Sequence, residues 1–270
     1  MAAGDNADEQ LIFSNLFKDA SQRDTIRGYF EKLGDMTRVT DAMQADLIYD
    51  CGNDSEWVEA RPLEYKLRKY RMRVTRPNND PFGCQKNPPP IATTHRNYNP
   101  SAQGWKKPRT VISLCDRLEN SFTNWATTSM FSDRVLSGTM VDPEDDRVPQ
   151  SILLNPCTSR TILHEAFHSN HIDTNDKTYK KDVGGQTAYG WENAIQKDAA
   201  DQFKNADNYA IFGFALELFS KGYKMEDDPE KFKKGELKRP AATSRRVMRK
   251  IRSLPRACRD WVYRRAGQEC

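Results

Sequence analysis

The feature that most constrains this chain is a short run in which two histidines and a glutamate are spaced to share one helix. The run is His164-Glu-Ala-Phe-His168, an H-E-x-x-H pattern. Residues four apart lie on one face of an α-helix, so His164 and His168 can direct two imidazoles at one ion, with Glu165 beside them. Three of the chain's four histidines fall at 164, 168 and 171. The pattern predicts a zinc site on a helix, and the alternative is a pair of ordinary surface histidines.

A third protein ligand is needed if such a zinc ion is to act on a water. Hydrolytic zinc sites use about three protein ligands and leave one position open. The loop and the helix after the motif supply four acids, and one more histidine continues the histidine face. These candidates are Asp173, Asp176, Asp182, Glu192 and His171.

The composition predicts a folded body without a membrane span. A chain of 270 residues can bury a sizeable core, and 37% of its residues are hydrophobic while 30% are charged. No apolar run approaches the length that crosses a bilayer. The N-terminus has neither a basic region nor an apolar one, so the sequence as written carries no signal peptide. The chain is therefore either an intracellular protein or the mature form of an exported one.

Six cysteines are spread singly through the chain, at positions 51, 84, 115, 157, 258 and 270. None forms a C-x-x-C pair, which argues against a structural zinc ribbon. An even number of isolated cysteines is typical of an exported protein with disulfides, here three of them. The alternative is six free thiols in the cytoplasm. We expect an extracellular protein, with a cytoplasmic one as the alternative.

The net charge of +4 hides a strong asymmetry along the chain. Residues 231–270 hold 14 Lys and Arg against three acidic residues, a net +11, whereas residues 1–230 carry a net −7. Residues 243–254 have apolar positions at helical spacing and predict a basic amphipathic helix. Such a helix can bind an anionic surface, and the alternative is a solvated tail. No base-reading motif is present, so sequence-specific nucleic-acid recognition is not expected.

Hydrophobic periodicity predicts a mixture of helices and a few strands. Helices are predicted within 9–33, 190–203 and 205–221, in addition to the motif helix. Strands are predicted at 45–51 and at 109–115, which is β-branched and follows Pro108, while 61–73 fits either a helix or a strand. Residues 77–108 are rich in Pro, Asn and Gly and predict a long loop that Cys84 would tie down if oxidised.

Three motifs in order make this chain resemble a known family of zinc proteases. After His164-Glu-Ala-Phe-His168 come Gly184-Gly-Gln-Thr-Ala-Tyr-Gly190 and then Asn205-Ala-Asp-Asn-Tyr-Ala-Ile-Phe212. The chain is similar here to the deuterolysin-like and peptidyl-Lys metalloendopeptidases, the aspzincins, whose zinc is held by two histidines and an aspartate. That family carries H-E-x-x-H, then G-T-x-x-D-x-x-Y-G, then an N-A-D start to a helix. The resemblance covers residues 45–221 and is strongest over 158–219.

The resemblance implies a role for each motif residue. His164 and His168 would bind zinc, and Glu165 would be the general base. Tyr189 would donate a hydrogen bond to the oxyanion of the scissile carbonyl, and Asp207 would lie near the S1′ pocket and contact substrate. The alternatives are that Tyr189 is a core aromatic residue and that Asp207 only caps a helix.

The chain departs from the family pattern at two positions. The family's aspartate ligand falls on Gln186, so the nearest acid, Asp182, is the predicted third ligand, beside Gly184-Gly185. Lys-specific members carry an acid three residues after the N-A-D aspartate, and this chain has Ala210 there. Strict cleavage before lysine is therefore not expected.

The predicted fold is α+β, a zincin-like metalloprotease domain that is mainly helical with a small sheet. Residues 1–44 would be a helical segment packed on the body, 45–225 the protease domain and 226–270 a basic extension. The predicted function is that of a zinc-dependent endopeptidase that binds one Zn²⁺, acts on protein or peptide substrates and is a monomer. The alternative is an inactive protease-like domain that binds a partner.

Overall fold

A computed structural model of the chain describes residues 7–36, 45–50, 57–61, 64–67, 72–75, 83–85, 90, 92–96, 109–115, 158–169, 172, 189–220 and 223–238. These residues form a mixed α+β structure with small sheets, as the sequence predicts at this coarse level. Within them, no helix has the length and apolar character that crossing a membrane requires.

The chain divides into two compact units. One takes residues from Arg23–Ser129 and Thr161–Lys181 and is called the sheet unit here. The other takes residues from Met1–Gln22, Met130–Arg160 and Asp182–Cys270 and is called the helical unit.

The sheet unit contains the described strands of two three-stranded sheets, together with two helices. Its helices are α2 (Arg23–Gly34) and most of α3 (Thr158–Phe167). Its strands are β1 (Leu47–Asp50), β2 (Trp57–Arg61), β3 (Glu64–Leu67), β4 (Met72–Thr75), β5 (Ala92–Arg96) and β6 (Thr110–Leu114). The strands predicted at 45–51 and 109–115 are confirmed, and the ambiguous segment 61–73 contributes to strands.

One sheet has the order β1-β6-β5, with β6 parallel to β1 and antiparallel to β5. Because side chains alternate along a strand, β6 presents apolar residues to both faces. On one face Ile112 and Leu114 pack with Ala166 of α3, and Leu33 and Leu47 cover the edge of this cluster.

The opposite face of this sheet carries the second sheet. Val111 of β6 and Ile48 of β1 form a buried cluster with side chains of β2, β3 and β4. The members from those three strands are Trp57, Leu67, Met72 and Val74. The central strand is thus covered by a helix on one side and by an antiparallel meander on the other, which explains why every described residue of β6 is buried.

The loop predicted for residues 77–108 is wrong at Ala92–Arg96, which form β5. Thr93 and Thr94 are β-branched and suit a strand, but their partner is β6, whose Ser113 and Ile112 lie opposite them. The Cys84–Cys115 disulfide joins a 3₁₀ turn at Gly83–Gln85 to the end of β6. The pairing of Cys84 with Cys115 would tie this segment to β6, as expected of an oxidised Cys84. The other four cysteines, the predicted helix 243–254 and the rest of the basic tail after residue 238 lie outside the described residues.

The helical unit is built around its longest described helix, which packs against the N-terminal one. Its helices are α1 (Ala7–Leu16), α4 (Trp191–Gln196), α5 (Ala199–Lys204), α6 (Ala206–Ser220) and α7 (Pro229–Lys233). Phe13 and Phe17 contact Phe212, with ring centroids 5.7 and 5.8 Å apart. The predicted helices within 9–33 and at 205–221 are confirmed.

Buried amides join the end of α1 to the body of this unit. Asn208 donates to the carbonyl oxygen of Leu16 at 2.8 Å, and Gln202 donates to that of Asn15 at 2.8 Å. The amide N–H of Lys18 in turn donates to Gln202 Oε1 at 2.9 Å. The last carbonyls of a helix have no partner inside it, so these side chains satisfy groups that would otherwise be buried unpaired.

The single helix predicted for residues 190–203 is wrong, because two short helices occupy this stretch. Asp198 adopts an extended backbone conformation, and its carboxylate accepts a hydrogen bond from the Asp201 N–H at 2.8 Å. This is an N-cap, which starts a new helix and ends the previous one.

The C-terminal part of the described chain is folded against α4. Strands β7 (Lys224–Met225) and β8 (Leu237–Lys238) pair with each other around α7. The indole N–H of Trp191 donates to the Phe232 carbonyl at 2.8 Å. Gly235 has a φ of +73°, and a Cβ there would lie 2.9 Å from the Trp191 ring. Residues 226–238, the described part of the predicted extension, are therefore folded.

Candidate metal centre

Helix α3 brings two imidazole nitrogens together at its C-terminal end. The helix ends at Phe167, and the His168 N–H donates to the Glu165 carbonyl at 3.1 Å, so His168 stays within the last turn. The Nε2 atoms of His164 and His168 lie 3.2 Å apart. His164 is buried and His168 is half-buried. The arrangement is the one that the i, i+4 spacing predicts.

This separation fits a zinc ion. Two nitrogens at about 2.0–2.1 Å from one tetrahedral zinc lie roughly 3.3 Å apart. The two rings are inclined at 81° to each other, with centroids 4.9 Å apart. The C-terminal end of a helix also carries a partial negative charge, which favours a cation there. The two side chains therefore satisfy the donor type and the spacing that zinc requires of two of its ligands.

Glu165 is held in place by a strand residue. Its side chain is 8% exposed, and Oε2 lies 2.6 Å from the Thr94 Oγ1, which donates to it. The same hydroxyl lies 3.0 Å from the Glu165 carbonyl oxygen. Thr94 stands in β5, opposite Ile112 of β6, on the sheet face that α3 covers. A charge-assisted hydrogen bond of this length fixes the orientation of a carboxylate.

Sequence reasoning missed Thr94 because it assigned the whole stretch to a loop. The signal that was present is the β-branched pair Thr93-Thr94 after the proline run. Its contact partner lies 71 residues further along the chain, so no local pattern connects the two.

The predicted third ligand, Asp182, lies outside the described residues, as do Asp173, Asp176 and His171. Glu192 is described and stands exposed in the first turn of α4, in the helical unit. Across the part of the chain that the structure describes, three or more His, Cys, Asp or Glu side chains are nowhere grouped so as to hold a metal ion. Asp182 as the third ligand stays a prediction.

Tyr189 and Gly190 form a short segment that leads into α4. The Tyr189 side chain is 49% exposed, while its carbonyl oxygen accepts a hydrogen bond from Asn193 Nδ2 at 2.7 Å. Gly190 has a φ of +86°, a region that residues with a side chain rarely adopt, and it is the N-cap of α4. The segment presents an exposed phenol on a backbone that is held by hydrogen bonds.

Asp207 lies in a buried ion pair. It is 2% exposed, and its Oδ1 and Oδ2 accept hydrogen bonds from Arg160 Nη2 at 2.6 and 2.8 Å. Oδ2 also accepts from the Gly190 N–H at 2.7 Å. Arg160 is 6% exposed, and sequence reasoning missed it, since 47 residues separate it from Asp207.

No family model matches this chain, and neither the curated proteins nor the solved structures that were searched contain a match. The likeness to the aspzincins therefore stays a prediction. It rests on the motifs at 164–168, 184–190 and 205–212.

Proposed function

We propose that this chain is a zinc-dependent endopeptidase with a zincin-like protease domain. The observation that carries the proposal is the pair of Nε2 atoms 3.2 Å apart on α3, beside a buried glutamate. Two histidines at ligand spacing do not by themselves distinguish a structural metal from a catalytic one. A carboxylate next to them, oriented by Thr94, adds the base that hydrolysis requires.

In the proposed mechanism, His164 and His168 would hold the metal together with Asp182. A zinc ion bound there would supply Lewis-acid polarisation of a water and of a carbonyl group. Glu165 removes the proton from the attacking water through Oε1, because Oε2 accepts the hydrogen bond from Thr94. Glu165 would then deliver that proton to the leaving amine, and the resemblance to the aspzincins implies that the Tyr189 hydroxyl would donate a hydrogen bond to the oxyanion.

Strand β5 supports a protein or peptide substrate. Among the described strands it is one of the two outer ones in the order β1-β6-β5, and its Thr94 contacts the proposed base. An extended peptide can pair with the outer strand of a sheet through main-chain hydrogen bonds, which places a scissile bond without reading its side chains. The Cys84–Cys115 disulfide supports an extracellular location, since such bonds persist in oxidising compartments.

The first test combines zinc content by elemental analysis with casein cleavage on the same purified samples. We expect about one zinc per wild-type chain together with cleavage, since a catalytic site holds a single open zinc. His168→Ala removes one proposed ligand and should lose both. Wild-type protein that binds no zinc and cleaves no casein would contradict the proposal and favour the alternative, a protease-like domain that binds a partner.

The third ligand is tested by a matched pair of variants in the loop after the motif. Asp182→Asn should lose zinc and cleavage, whereas Asp173→Asn should keep both. If Asp182→Asn retains zinc, the third ligand must be another of the candidate residues, and the rest of the proposal is unaffected.

A further inference from the structure

We propose that Asp207 is a positioning residue that fixes the Tyr189–Gly190 segment and does not bind substrate. This rests on the proposed endopeptidase function, in which Tyr189 stabilises the oxyanion. It assigns Asp207 a different role from the S1′ contact that the sequence motif predicts, and it adds Arg160 to the same arrangement.

The surroundings of the Asp207 carboxylate argue against a substrate contact. The side chain is 2% exposed, and its two oxygens accept three hydrogen bonds from Arg160 and Gly190. The guanidinium of Arg160 already balances the negative charge at 2.6 Å. A carboxylate that selects a basic substrate side chain must instead offer its charge to an incoming cation.

The hydrogen bonds around Tyr189 show how Asp207 acts on it. The carbonyl of Tyr189 and the N–H of Gly190 belong to one peptide unit, which is planar. Asn193 donates to that carbonyl at 2.7 Å, and Asp207 accepts from that N–H at 2.7 Å. Both polar atoms of the plane are therefore held, and this fixes the position of the Tyr189 Cα and the Cα–C axis from which its side chain departs.

Arg160 makes this arrangement possible. A buried carboxylate that accepted only the Gly190 N–H would be strongly destabilised by the loss of water. Arg160, in the first turn of α3, supplies the compensating charge from a side chain that is itself 6% exposed. The backbone position of the exposed Tyr189 therefore depends on the buried ion pair between Arg160 and Asp207.

The two roles for Asp207 predict different kinetics. Quenched peptides are made from a casein site cleaved by the wild type, with Lys, Leu or Glu directly after the scissile bond. Asp207→Asn keeps the shape of the side chain but turns an NH2 donor toward Arg160 or Gly190, which are themselves donors, so the Tyr189–Gly190 peptide is no longer held as in the wild type. We expect kcat to fall by about tenfold to a hundredfold on all three peptides, with KM nearly unchanged, because misplacement of a catalytic group slows chemistry. A changed preference among the three peptides would overturn the proposal.

A double-variant comparison tests whether Asp207 acts through Tyr189. Tyr189→Phe should slow cleavage strongly in the wild-type background and much less in the Asp207→Asn background, because the phenol is already misplaced there. Equal losses in both backgrounds would overturn the proposal. Asp227→Asn is the matched control, since Asp227 also pairs with a cation, Lys238, but is exposed on the surface.

Amide hydrogen exchange at Gly190 gives a readout that does not require catalysis. We expect faster exchange in Asp207→Ala than in wild type and in Asp227→Asn. If Asp207→Ala does not fold, Arg160→Met/Asp207→Leu removes both charges and the acceptor for Gly190 while keeping side chains of similar volume, and it is measured instead. Unchanged exchange in a folded variant would overturn the positioning role. The exchange rate at Gly190 can be measured even if the wild type cleaves nothing. Failure of the positioning role can therefore be distinguished from failure of the proposed endopeptidase function.

Discussion

The sheet unit and the helical unit both bury apolar side chains, and the helical unit adds a buried ion pair between Arg160 and Asp207. In the sheet unit, apolar side chains cover both faces of β6, and the Cys84–Cys115 disulfide closes one end of that strand. In the helical unit, buried polar side chains bind specific main-chain atoms or an opposite charge. Apolar layers tolerate substitutions of similar volume. Replacing one partner of a buried hydrogen bond or ion pair is costly, because it leaves the other partner buried and unsatisfied. Substitutions that keep shape but change polarity should therefore separate the two units.

The largest effect is expected in the sheet unit, and on activity rather than stability. Glu165→Gln keeps the shape of the side chain and removes the proposed base, so casein cleavage should fall by about 10²–10⁴-fold. Zinc content and the midpoint of thermal unfolding should stay close to wild type. Glu31→Gln is the control, because Glu31 forms an exposed pair with Arg27 on α2. Cleavage that survives in Glu165→Gln would remove Glu165 from the mechanism.

The matching experiment in the helical unit should change stability first. Arg160→Met leaves the Asp207 carboxylate buried without its guanidinium, and removal of one partner from a buried ion pair costs about 3–5 kcal/mol. Arg160→Met/Asp207→Asn removes the uncompensated charge and keeps an acceptor for Gly190. Chemical denaturation should therefore show the double variant to be more stable than Arg160→Met alone. The reverse order would mean that the ion pair does not stabilise this unit as the comparison implies.

Removing the disulfide tests how much the Cys84–Cys115 bond contributes to the stability of the sheet unit. Cys84 and Cys115 are 31 residues apart, and a loop of this size predicts a loss of about 3–4 kcal/mol when the bond is absent. Cys84→Ser/Cys115→Ser should show this loss in chemical denaturation under oxidising conditions. A reductant should then destabilise the wild type more than it destabilises the variant. An equal response of both proteins would show that this bond contributes little.

The same comparison explains which parts of the molecule the sequence predicts. The His164–His168 pair needs only the periodicity of one helix, so five residues are enough to predict it. Strand β6 is similarly local, because β-branched residues after Pro108 suit a buried central strand. Each of these elements is formed by consecutive residues, and the structure has a helix over 158–167 and a strand over 110–114.

Contacts between distant residues were not predicted, and they include the ones that orient the site. Thr94 donates a hydrogen bond to Glu165, which lies 71 residues further along the chain, and Arg160 donates to Asp207, 47 residues further along. A threonine, an arginine or an aspartate at these positions is compatible with many local structures. Only the pairing of β5 with β6, and the packing of the unit that contains α6, determine which atoms meet. The resemblance predicts a substrate contact for Asp207, whereas its carboxylate forms a buried ion pair with Arg160, which no local pattern predicts.

The smallest expected effect concerns Thr94, whose hydroxyl orients Glu165 from β5. Thr94→Val keeps the β-branched shape that suits the strand and removes the hydrogen bond to Glu165 Oε2. A hydrogen bond to a charged group contributes about 1.5–3 kcal/mol, and we expect kcat to fall by roughly tenfold because the second carboxylate oxygen still reaches the water. Thr94→Ser restores a hydroxyl at the same place and should recover most of kcat, while zinc content stays constant in both variants. If the serine variant is as slow as the valine variant, Thr94 acts through strand packing, and the orientation of Glu165 comes from α3 alone.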